Sequence, residues 1–141
     1  MNPPSDQWLT EFFSRPRLIA MVGLSNNQER SAYGVAGRLR QLGLRVVPVH
    51  PKAEAVAGEQ GYARLSDMPE RPDVVDVFLR AELLDPISEE ILALEPGLVW
   101  LQEGVVRNDL AERWAEAGIA VVQDQCLGVM APRYLPGGVG S

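Results

Sequence analysis

The chain carries one cysteine, one histidine and fewer basic than acidic residues. Each scarcity removes a class of function. Cys126 has no partner for an internal disulfide, which fits a reducing compartment but also fits many secreted proteins. No HxH, HxxxH or HExxH spacing and no second cysteine occurs, so the usual zinc ligand sets are missing and His50 lacks the partner that would orient it as a general base. His50 is read instead as a loop-capping or ligand-edge residue. Against 19 acidic residues stand 13 basic ones, a formal charge of −6. A non-specific nucleic-acid binder needs a net basic face to displace counterions from phosphates, so that class is disfavoured and any anion site must be local. No apolar run approaches the roughly 20 residues that span a bilayer, and "MNPPSDQW" has neither the basic start nor the apolar stretch of a signal peptide. The expectations are a cytoplasmic location and no membrane or nucleic-acid partner.

What remains is ample for a core. At 141 residues and 46% hydrophobic content, one domain spanning residues 1–141 is expected. Five short apolar segments recur along it: "RLIAMVG", "LRVVPVHP", "PDVVDVFLR", "GLVWLQEG" and "GIAVVQDQ". Their β-branched content without strict alternation suits strands covered on both faces, as in a parallel sheet. Helical patterns lie before and between them. "SDQWLTEFFSR" opens on a Ser5 cap, "YGVAGRLRQLG" stops at Gly43, "DPISEEILALEPG" has Pro86 in its first turn, and "RNDLAERWAEAG" places Asn108 as a cap. The alternation predicts an α/β three-layer, Rossmann-like sandwich with a five-stranded parallel sheet, right-handed crossovers and strand order 3-2-1-4-5. Residues 52–71 read as an irregular connector. The proline- and glycine-rich tail, 132–141, is expected to fray.

In open α/β sheets ligands sit beyond the carboxyl ends of the strands. Those ends are "GLSNNQERS", "VHPK", "FLRAE", "LQEGV" and "DQC". The first is the most telling. Gly23 ends a strand, Ser25 supplies a hydroxyl, the amides around Ser31 to Gly34 open a helix, and Arg30 adds a charge with fork geometry suited to phosphate. The loop is neither a GxGxxG turn, since Ser25 and Gln28 occupy its later positions, nor a Walker A loop, since GKS and GKT are absent. After the second strand, where an NAD-binding domain usually puts an acidic residue for the ribose, stands "HPK". Lys52 there suits an added phosphate, which both NADP and coenzyme A possess. Asp73 and Asp76 flank an apolar strand and are read as strand-start and local hydrogen-bonding residues. Glu103 is a lone strand-end carboxylate. Cys126 is read as a small packed hydrophobe, although all five strand ends converge on its edge of the sheet.

Four blocks, "VGLSNNQERSAYGVAGRLRQLGLRVVPVHPK", "GYARLSDMPERPDVVDVF", "GLVWLQEGV" and "AGIAVVQDQC", together resemble the small stand-alone coenzyme A-binding proteins with a Rossmann fold, similar to the nucleotide domain of the succinyl-CoA synthetase α subunit. The resemblance covers roughly Trp8 to Cys126. It implies that Gly23, Ser25 and Arg30 meet the phosphates, that Pro51 and Lys52 lie along the nucleotide, and that "LQEG" closes the opposite side. The full set expected at the ligand is Gly23, Leu24, Ser25, Arg30, Ser31, Tyr33, His50, Pro51, Lys52, Leu79, Arg80, Gln102 and Gly104. Two positions depart from the family pattern: His50 stands where Asn is common before the proline, and Gln125 where Arg is common before the last cysteine. The related synthetase also uses a second domain bearing a phosphorylated histidine, which this sequence does not supply. The resemblance therefore implies a binder of coenzyme A or an acyl-CoA with no ligase chemistry and no catalytic residue of its own, in a regulatory or carrier role. As an assembly it is expected to be a monomer or weak homodimer, with room for a protein partner. An NADP-binding oxidoreductase or a partner subunit is the alternative.

Overall fold

A computed structural model describes residues 2–137. Five strands, β1 (Leu18–Val22), β2 (Arg45–Val49), β3 (Val74–Val77), β4 (Leu98–Leu101) and β5 (Ala120–Val122), form one parallel sheet. Helices α1 (Asp6–Phe12), α2 (Ser31–Gln41) and α5 (Leu127–Tyr134) cover one face, and α3 (Asp85–Leu94) and α4 (Asn108–Glu116) the other. Alternate strand residues feed the two layers. Ile19, Met21, Val74, Leu98 and Trp100 pack under α1, α2 and α5, while Ala20, Val22, Val75, Val77, Val99 and Leu101 pack under α3 and α4. The expected α/β sandwich is therefore present, with a core on each side of the sheet.

The sheet order is β2-β1-β3-β4-β5, not 3-2-1-4-5. The third strand passes over β1 and lies beside it, between β1 and β4. Two features of the chain exclude the expected place outside β2. The outer edge of β2 is already occupied: the Tyr62 amide donates to the Pro48 carbonyl at 3.1 Å and the His50 amide to the Tyr62 carbonyl at 3.0 Å, so the connector itself seals that edge. Pro48 also lacks the amide an interior strand would need on both sides, and proline within sheets is an edge-strand residue. In contrast, all four residues of β3 are completely buried. Such a strand belongs inside the sheet.

Local signals set most element boundaries. Ser5 caps α1 by accepting from the Trp8 amide at 3.0 Å. Asn108 begins α4 instead of capping it; the N-cap is Arg107, and the Asn108 side chain accepts from Gln123 Nε2 at 3.0 Å. The connector after β2 is irregular as expected, with a single 3-10 turn at Leu65–Asp67. Residues 132–135, part of the stretch expected to fray, are ordered. Helix α5 continues through Pro132 to Tyr134, whose ring stacks on Phe13 at 6.1 Å, and Leu135 is buried after it. The remainder of that expectation, residues 138–141, lies outside the described residues.

Candidate functional site

With this order the chain leaves β1 toward α2 on one face and β3 toward α3 on the other. The two connections part beyond the strands' carboxyl ends, and a crevice opens between them. Its floor is Gly23, at φ +100°. A Cβ at this position would stand 2.7 Å from the Phe78 carbonyl oxygen, so only glycine lets the ends of β1 and β3 approach this closely. The Gly23 amide donates to the Val49 carbonyl and the Phe78 amide to the Val22 carbonyl, both at 2.8 Å, fixing three strand ends together.

The loop after Gly23 is held by its own side chains. Ser25 Oγ accepts from the Asn27 amide at 3.3 Å, Asn27 Oδ1 accepts from the Glu29 amide at 3.1 Å, and Asn26 Nδ2 donates to the Ala55 carbonyl at 2.7 Å. The chain then enters α2 through Arg30, an N-cap whose side chain makes no capping bond. The first amides of a helix have no intrahelical acceptor, and Ser31 and Ala32, which carry two of them, line the crevice. Arg30 is exposed and, among the described residues, forms no ion pair. Lys52 is exposed and free in the same sense. His50 caps the turn below it, with Nδ1 accepting from the Lys52 amide at 3.1 Å. The crevice encloses about 1420 Å³ and is lined by both apolar and polar side chains. That exceeds the few hundred to 1,000 Å³ of most small-ligand pockets and suits an elongated ligand.

Of the residues expected at the ligand, Gly23, Ser25, Arg30, Ser31, His50, Pro51, Lys52, Leu79, Arg80, Gln102 and Gly104 do line this crevice. Leu24 and Tyr33 do not. The Leu24 side chain is fully buried in the core under α1, α2 and α5, and Tyr33 packs half-buried against the same cluster. Sequence reasoning missed Arg64 and Leu65 from the connector and Pro86, Ile87 and Glu90 from α3, which form the wall opposite α2. The proline within β2 was the available signal: it makes β2 an edge strand and brings the connector and α3 to the crevice.

The rim opposite α2 is braced by one guanidinium. Arg107 Nη1 donates to the Ala81 carbonyl at 2.8 Å and to Asp85 Oδ2 at 3.0 Å, and its Nε donates to Asp109 Oδ1 at 2.9 Å. These bonds tie the Ala81–Leu83 turn to the starts of α3 and α4. Hydrogen bonding to Arg107 holds the Asp109 carboxyl down to about 2 and the Asp85 carboxyl below the usual carboxylate range. On the other side of the sheet, Gln102 reaches from the end of β4 to the completely buried Asp76. Burial pushes the Asp76 carboxyl up to about 8. Cys126, at the start of α5, completes the lining and is half-buried against the core.

The chain as a whole has known relatives. A family described as "CoA binding domain" matches residues 17–132, and the chain belongs to it. The "Uncharacterized protein YneT" of Bacillus subtilis is 30% identical over 129 residues, covering 92% of this chain and 96% of that protein. The solved structure of "cell-free ID.343" from Thermus thermophilus superposes with a TM-score of 0.88 at 40% identity, covering 93% of this chain and 99% of that one. The ADP-forming acetate–CoA ligase II subunit alpha of Pyrococcus furiosus is 23% identical over 137 residues, which take in 86% of this chain but 29% of the subunit. Among the described residues no helix is long and apolar enough to cross a membrane.

Proposed function

We propose that the crevice binds coenzyme A or an acyl-CoA and that the protein acts as a binding module, in a regulatory or carrier role, without ligase chemistry of its own. Membership in the CoA binding domain family supports the ligand class. The observation that carries the reading is the unpaired Arg30 beside the open amides of α2, a local anion site on a chain of net charge −6. Lys52, free at the end of β2, stands where it can meet a further phosphate on the nucleotide.

Replacing Arg30 by Ala removes a charge-assisted contact. A loss of about 1.5 to 3 kcal/mol is expected, a roughly ten- to hundredfold weaker Kd for coenzyme A, with a shallower salt dependence. Titration calorimetry on wild type and R30A at two salt concentrations measures this, and equal affinities would remove Arg30 from the site. Competition separates the reading from its rival. Coenzyme A should displace a bound fluorescent analogue at lower concentration than NAD or AMP. Tightest binding by NADP, with hydride transfer to any acceptor, would favour an oxidoreductase.

A further inference from the structure

Apart from aromatic side chains, three polar or charged side chains are buried in the described core: Asp76, Ser88 and Gln102. Ser88 is satisfied by the Trp114 indole, which donates to its hydroxyl at 3.0 Å. Among the described side chains, Asp76 and Gln102 pair only with each other. Asp76 sits mid-strand in β3, beside Met21 of β1 and Trp100 of β4, facing the layer that holds α1, α2 and α5. One of its oxygens, Oδ1, pairs with the Gln102 amide; the other, Oδ2, is buried with no partner. A carboxyl in such a place is costly, and well-packed apolar residues would serve a core better.

Gln102 differs from Asp76 in one respect: it also lines the crevice. Its amide has two unlike ends, an NH2 that only donates and an oxygen that only accepts. With Nε2 turned to Asp76, Oε1 has no protein partner among the described residues and is not sealed from solvent. The buried carboxyl therefore dictates which end of the amide the crevice sees. An ionised Asp76 can only accept, so it takes the NH2 and leaves the oxygen facing the ligand. A protonated Asp76 has an O–H to give; when it donates this to the amide oxygen, the amide turns over to present two N–H donors.

We propose that Asp76 is a positioning residue whose proton sets Gln102 to offer either a donor or an acceptor to a neutral, amide- or carbonyl-bearing arm of the ligand. Gln102 lies at the end of β4, two strands from the phosphate loop after β1, a separation of about 10 Å at the usual strand spacing. A group met there is remote from the phosphates. The identity of that arm rests on the coenzyme A reading; the behaviour of the pair does not.

The surroundings leave Asp76 as the controlling titration. Met21 and Trp100 beside it are uncharged, and it takes part in no ion pair among the described residues. The titratable side chains packed against the same core are Tyr33, Tyr134 and Cys126, and Arg40 lies at the far end of α2. Arg30, His50, Lys52, Arg64, Arg80, Glu82, Glu90 and Glu103 share the crevice with Gln102, as does Cys126. The structure draws the pair with Nε2 toward Asp76; burial, which raises the Asp76 carboxyl to about 8, favours at neutral pH the other arrangement, in which the amide presents donors. The ligand's carbonyl is then the partner, and it loses that partner as the pH passes 8.

Two measurements on the full chain test this. The Gln102 side-chain amide signals, followed by 15N NMR and assigned by their loss in Q102L, should move through a single transition near pH 8 that is absent in D76N. Coenzyme A affinity by calorimetry should weaken about three- to tenfold between pH 7 and 9, beyond any change in D76N, which has no proton to lose. In Q102L the affinity should already be low at pH 7 and lack this step. A Gln102 signal that ignores pH, or a wild-type affinity profile that parallels D76N, overturns the proposal. If the Gln102 transition is present but coenzyme A fails to bind at any pH, the ligand reading falls while the proton-set amide stands. Should D76N fail to fold, the comparison of wild type with Q102L carries the affinity test and the wild-type amide transition the other.

Discussion

Gly23→Ala is expected to cost about 2 to 5 kcal/mol of stability, whereas Gly104→Ala should cost about 1 to 2. Both glycines line the crevice and both have positive φ, +100° and +86°. Any L side chain at such angles meets its own backbone, and that strain is common to the two. Only at Gly23 is there a second obstacle. Its added methyl would lie 2.7 Å from the Phe78 carbonyl oxygen and 3.1 Å from the Phe78 Cβ, while nothing lies within 4 Å at Gly104. The Phe78 carbonyl cannot give way easily, because the Phe78 amide is bonded to Val22 and the neighbouring β3 residues pair with β1. To relieve the overlap, β1 and β3 must part at the floor of the crevice, so Gly23→Ala should also weaken ligand binding in whatever fraction remains folded. Urea unfolding of the two variants, read by tryptophan fluorescence, gives the comparison. Equal losses would mean that backbone strain alone matters and that the strand ends have room to separate.

Gly23 was legible in the sequence because its reason is local: a strand ends and the chain must turn. The same holds for Ser25, Arg30, Pro51 and Lys52, which lie in two short loops whose position after a strand already places them at the sheet's carboxyl edge. Leu24 and Tyr33 lie in the same stretch, but the chain twists between neighbours. Leu24 turns into the core while Ser25 faces the crevice. The far wall was not legible in the same way, since Arg64, Pro86 and Ile87 reach the crevice only because β3 crosses over β1. That crossing follows from Pro48 and from the complete burial of β3, facts about neighbours in space more than in sequence. Asp73 and Asp76 show the same contrast. Asp73 Oδ2 accepts from the Leu18 amide at 2.8 Å, a strand-start bond its position suggested. Asp76 finds its partner at Gln102, a pairing that only the alignment of β3 with β4 creates.

Asp76 should also make the fold less stable as the pH is raised from about 4 to about 8, a reversal of the usual carboxylate behaviour. In the unfolded chain its carboxyl ionises around the ordinary value of 3.8, and in the folded protein burial holds the proton to about 8. Below pH 4 both states are protonated and the residue makes no difference to the pH slope. Between 4 and 8 the unfolded chain has lost a proton that the folded chain keeps, so each rise in pH favours unfolding. Above 8 both are ionised and the penalty stays at its full value. A complete one-proton difference is worth about 1.4 kcal/mol per pH unit, so the loss across this window is on the order of several kcal/mol. Asp109 and Asp85 act in the opposite sense. Their carboxyls are lowered by Arg107, and the stability they contribute is present above pH 4 and lost as the pH falls below it through their lowered values. Stability should therefore peak on the acidic side of neutrality. Asp76→Asn replaces the protonated carboxyl by a neutral amide of the same shape, so it should match wild type near pH 4 and exceed it by a few kcal/mol at pH 8. Denaturant midpoints collected at each pH unit from 4 to 9 on the two proteins measure the difference. Parallel curves over that range would mean that Asp76 is already ionised in the folded state at pH 4, and that Gln102 or an ordered water stabilises the charge that burial opposes.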